Sequence, residues 1–93
     1  MKRVPKSFRL MGHTITVTVI PRKSWTLPDC VGYFDPTNNT ISLMKQDKSI
    51  LLHTCWHEIT HAILHAMNHK LYSNEAFVDQ MGGLIAQILD SAE

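Results

Sequence analysis

Two imidazoles and a carboxylate, His57, Glu58 and His61, stand inside the apolar run CWHEITHAIL, residues 55–64. On a helix, residues four apart lie one above the other, so both rings can reach one metal ion. Glu58 falls at an angle that keeps it out of the coordination shell, yet close enough to take a proton from water on that ion. This is the physical content of the H-E-x-x-H pattern. Zinc held there would lower the pKa of its water toward neutrality and polarise a carbonyl, while Glu58 moves the proton.

The same residue types also occur on solvated helix faces, and the phase of the surrounding apolar residues decides between the two readings. From about Ser49 to Met67, Leu52, Cys55, Trp56, Ile59, Ile63 and Ala66 recur at helical steps and form one ridge. At about 100° per residue, His57 and His61 fall nearly opposite that ridge, with Glu58 beside them. That phase favours the metal reading.

A catalytic zinc site takes three protein ligands and leaves a position open. His65 cannot be the third, because eight residues of helix, about 12 Å, separate it from His57; His53 fails against His61 for the same reason. Glu75 is the best candidate. It opens a second helix 14 residues after His61, and a short return loop would swing it back. Asp79, one turn later, could accept a hydrogen bond from a ligand imidazole and orient it.

The elements that must position these residues read as follows. Residues 7–20 alternate from His13 onward as strand, with a tight turn or bulge at Gly12. Residues 21–31 carry two prolines and read as an irregular connection. GYFDPTNNTISLM is a hairpin: 32–34 out, 35–39 turning, 40–44 returning. After a break at NHKLYS, Ser73 or Asn74 caps a helix over about 74–90. One of its faces is Phe77, Met81, Leu84, Ile85 and Ile88; another stripe is Glu75, Asp79, Gly82 and Ala86. Gly82 and Gly83 each cost about 1 kcal/mol relative to Ala inside a helix, which close contact with the first helix would justify.

Ninety-three residues, 44% of them apolar, make a single domain, 1–93. The net charge of +1 gives no strong field for nucleic acid or a membrane. No apolar stretch has the length of a signal peptide or a membrane span. Cys30 and Cys55 are expected as free thiols, Cys55 buried, in a cytoplasmic protein. His65, His69 and His13 read as polar surface, and Trp25 and Trp56 as packing residues.

LLHTCWHEITHAILHAM followed by NEAFVDQMGGLIAQIL resembles the small phage-type zincin metallopeptidases, near the ImmA/IrrE-like and minimal gluzincin groups. NEAFVD is also similar to the glutamate-bearing helix of thermolysin-type enzymes, Asn-Glu-x-x-Ser-Asp, with Val78 in place of the serine. The resemblance covers residues 32–90. It implies an α+β, zincin-like fold: a small N-terminal antiparallel or mixed sheet packed on the H-E-x-x-H helix and a second, C-terminal helix. It implies one zinc per chain on His57, His61 and Glu75, with Asp79 as the partner of a ligand. Glu58 would be the general base and acid, and the substrate a peptide or protein, such as a phage-type regulatory protein, paired to the sheet edge. Larger members have an N-terminal helix and a longer run before the glutamate; this chain has neither. They also supply a Tyr or His to stabilise the oxyanion, a role open here to Tyr72, His69, His53 and Tyr33. A zinc-stabilised interaction module without turnover is the competing class, and a DNA-binding regulator a third.

Overall fold

A computed structural model describes residues 3–93. Strand β1 (Ser7–Leu10) turns through Met11 and Gly12 into β2 (His13–Ile20). Both turn residues have positive φ, 51° and 83°, as a two-residue hairpin with right-twisted strands requires. Along β2, Ile15 and Val17 point into the core while Thr14, Thr16 and Thr18 face out. The irregular connection holds one 3-10 turn, Arg22–Ser24, and is pinned by Trp25, whose Nε1 donates to the carbonyls of Leu27 and Cys30.

The hairpin that follows is β3 (Gly32–Asp35) and β4 (Thr40–Met44). Asp35 closes its loop by accepting from the Thr37 amide and the Asn38 side chain. The four strands lie in the order β1-β2-β4-β3. β4 inserts beside β2 in parallel, in register from Thr16↔Thr40 to Ile20↔Met44, and pairs with β3 antiparallel. The sheet is therefore mixed, and β3 is an open edge.

Helix α1 (Lys48–Ala66) lies across the sheet on the core formed by Ile15, Val17, Phe34, Ile41, Leu43, Leu51, Cys55, Ile59 and Ala62. It ends in a Schellman motif. Asn68 takes the left-handed conformation, φ 50°, its amide bonds to the His65 carbonyl, and the His69 amide bonds to that of Leu64. The chain so reversed makes a 3-10 turn over Lys70–Ser73, where the His69 ring accepts from the Leu71 amide. Asn74 then caps α2 (Glu75–Ser91) by accepting from the Phe77 amide.

α2 returns along α1. Its contact stripe is the small one: Val78, Gly82 and Ala86 are buried. A Cβ at Gly82 would lie 2.8 Å from the His57 backbone and 2.9 Å from the Trp56 carbonyl, so the helices meet backbone to backbone. The larger apolar face points outward, with Leu84 59% and Ile88 62% exposed. Among the described residues, no helix is long and apolar enough to cross a membrane.

Candidate metal centre

The approach of the two helices brings the predicted residues together. His57 Nε2 lies 3.2 Å from Glu75 Oε1, and His61 Nε2 lies 2.9 Å from Glu75 Oε2. The two imidazole nitrogens and a carboxylate oxygen all lie within 4.8 Å of one another, the separation of atoms sharing one ion. Among the described residues this is the group of three or more His, Cys, Asp and Glu that could hold a metal ion. His65 and His53 stand outside it, as their helical spacing from His57 and His61 requires.

The second nitrogen of each ring fixes the chemistry of the first. His61 Nδ1 is 2.8 Å from the Tyr72 carbonyl oxygen, which only accepts, so Nδ1 carries a proton. His57 Nδ1 donates to Asp79 Oδ1 at 3.1 Å. Asp79 stays ionised there, its carboxyl held below the ordinary range by the hydrogen bonds from His57 and His53. With both Nδ1 atoms protonated, both Nε2 lone pairs point at a carboxylate. That arrangement is repulsive unless a cation lies between them, either a second proton on each ring or one divalent ion for both. The rings stand edge to face with centroids 5.1 Å apart. One hard-to-borderline dication suits all three donors, and N,N,O is a donor set of catalytic zinc.

At His57 and His61 the polar face of α1 is not a solvated one. α2 covers it, leaving the His57 and His61 side chains 17% and 13% exposed. Glu58 is buried against β3, and burial pushes its carboxyl above the ordinary range, with the His57 and His61 rings acting against that and Glu75 adding to it. The amide of Phe34 hydrogen-bonds to Glu58 and stabilises its ionised form. The sheet register explains why that amide is free. Met44 donates to Val31, so hydrogen-bonded pairs fall at Val31, Tyr33 and Asp35, while Gly32 and Phe34 turn their N–H and C=O groups to the open edge. Gly32 must lack a side chain, since a Cβ would meet Thr54 Cγ2 at 2.8 Å and Glu58 Cγ and Oε2 at 3.2 Å.

A cleft of about 540 Å³ opens over the centre, walled by β3 on one side and by Tyr72, Ser73 and Glu75 on the other. Tyr72 packs edge-on against His61, centroids 5.4 Å apart, and burial raises its hydroxyl pKa. Of the four residues open to the oxyanion role, Tyr72, His53 and Tyr33 line the cleft, whereas His69 is spent on capping a turn. Helical spacing excludes His53 as a ligand shared with His61 but does not show its bond to Asp79; its place one turn before His57 is the available signal. The chain matches no family model, no curated protein and no solved structure, so the geometry of the centre carries the functional reading.

Proposed function

We propose that the protein is a zinc-dependent, zincin-type peptidase. The observation that carries this reading is the convergence of both Nε2 atoms, with their Nδ1 atoms already committed, on the carboxylate of Glu75. His57, His61 and Glu75 would hold one zinc ion. When bound, the ion supplies Lewis acidity, raising the acidity of water and polarising a carbonyl.

The chain's own residues do the rest. Glu58, whose burial makes it a stronger base than an exposed carboxylate, takes the proton from the attacking water. It then delivers that proton to the departing amide nitrogen, so water is split between the new acid and the new amine. The outward N–H and C=O of Gly32 and the C=O of Phe34 offer an extended chain a strand to pair with. Among the described residues, no Lys or Arg lines the cleft to hold a terminal carboxylate. Its acids are taken up by the histidines and the Phe34 amide, leaving none for a terminal ammonium. An interior peptide bond of an unfolded segment fits such walls best.

The test pairs metal content with cleavage of a quenched-fluorescence peptide library. Wild type should hold about one zinc per chain and cleave, while Glu58→Gln keeps the zinc and loses about 10²- to 10⁴-fold in rate, the contribution of a general base. Zinc without any cleavage in wild type would favour the non-catalytic module, for which a 93-residue domain uses metal as a staple. Absence of zinc would overturn both.

A further inference from the structure

A third histidine of α1 reaches the centre without being a ligand. His53 Nε2 lies 3.3 Å from Asp79 Oδ1, the same oxygen that accepts His57 Nδ1–H. The Cε1 edge of the same ring, next to that nitrogen, rests on α2 at Gly83. A Cβ there would stand 2.8 Å from His53 Cε1, and its three nearest atoms would all belong to that ring. Gly82 is accounted for by the approach of the helix backbones. Gly83 is not, and its missing side chain leaves the space that the imidazole fills.

Asp79 needs such a partner. Its side chain is 62% exposed, and a carboxylate on an open helix surface rotates among staggered rotamers. Two N–H donors, one turn apart on α1, converge on one of its oxygens and select one rotamer. We infer that His53, seated on Gly83, is a positioning residue: it clamps Asp79, and through Asp79 it holds His57 with Nε2 aimed at the ion. The inference rests on the metal reading above.

Groups that orient a ligand imidazole are worth about 10- to 100-fold in metal affinity. His53 acts one hydrogen bond further out, and about 3- to 10-fold is expected of it. The experiment is a double-mutant cycle on zinc affinity, measured by chelator competition, with His53→Ala, Asp79→Ala and the pair together. His53→Ala should weaken zinc in the wild-type background and add nothing once Asp79 is alanine. His53→Gln, which keeps a donor, should recover part of the loss. Gly83→Ala, which favours the helix but displaces the ring, should reproduce the His53→Ala loss while leaving the metal-free circular dichroism unchanged.

Wild type that takes up no zinc would overturn the metal reading and this inference together. Wild type that binds zinc, with His53→Ala within twofold of it or with an equal loss in the Asp79→Ala background, overturns this inference alone.

Discussion

Glu58 sits where an ionised carboxylate is poorly solvated, and its one backbone donor comes from an amide that the sheet edge leaves unpaired. Its aim therefore depends on how closely β3 approaches α1, and Gly32 sets that distance. Gly32→Ala places a methyl group 3.2 Å from the Glu58 carboxylate and 2.8 Å from Thr54, so one of them must shift. Peptide cleavage should fall by about tenfold or more, on the scale of a misplaced general base, with zinc content unchanged. Full activity in that variant would show that Glu58 is not held by this contact. The cysteines offer a second check at this scale. Burial pushes the Cys55 thiol up to about 12, with Glu58 adding to the shift, whereas Cys30 is exposed in the loop before β3. A thiol raised this far stays neutral at about pH 8 and reacts only on unfolding. Iodoacetamide should give the native protein one adduct, on Cys30, and a second only in denaturant; two adducts under native conditions would place Cys55 outside the core.

The helices were the most legible elements, because their period is carried by many residues at once. The ridge through Cys55 and Ile59 and the small stripe through Gly82 and Ala86 fixed the phase of α1 and α2, and Glu75 and Asp79 came with that phase. The strand assignments followed from alternation and turn chemistry. The parallel β2–β4 pair was not readable, since nothing local in the connection over 21–31 says that β4 inserts beside β2 and leaves β3 at the edge. Without that order, the free amide of Phe34 and the burial of Glu58 could not be anticipated. The outward turn of α2's larger apolar residues follows from the small stripe: they carry the stronger pattern, yet Gly82 determines the contact by letting backbones touch. Gly82→Ala tests this. In an exposed helix it would stabilise by up to about 1 kcal/mol. Here its Cβ meets backbone at 2.8 Å, which cannot rotate away, so the helices must separate. We expect a net loss of about 1–3 kcal/mol by urea denaturation, in the range of overpacked cores, together with weaker zinc binding. A gain in stability would mean that α2 does not lie on α1 as described.

For the molecule as a whole, two of the acids around the histidines, Asp79 and Glu58, are set in opposition. Asp79 is held below the ordinary carboxylate value by His57 and His53, so its contribution to stability is present above about pH 3.9 and is lost as pH falls through its folded value. Glu58 is raised by burial, so its contribution is fully present below about pH 4.3 and is lost as pH rises through its folded value. Burial thus disfavours the ionised form of Glu58 in the metal-free protein, and the proposed catalytic role opposes stability at that one residue. Zinc bound as proposed would reverse the balance, because binding to the native state alone adds about 2.7 kcal/mol at one hundred times its Kd. The expected behaviour has three parts. Without metal, Glu58→Gln should be more stable than wild type at about pH 7, by about 1 kcal/mol, a size common for relief of an unfavourable functional group. That advantage should shrink on acidification, as the wild-type carboxyl protonates. With zinc, wild type should gain stability at about pH 7.5 and lose most of that gain on acidification, because protons compete for the same ligands, whereas Glu75→Ala should gain little at any pH. Urea titrations across this range, with zinc and with chelator, measure all three. A Glu58→Gln advantage that did not change with pH would show that the substitution acts through packing, and that the buried carboxyl is not the strained group.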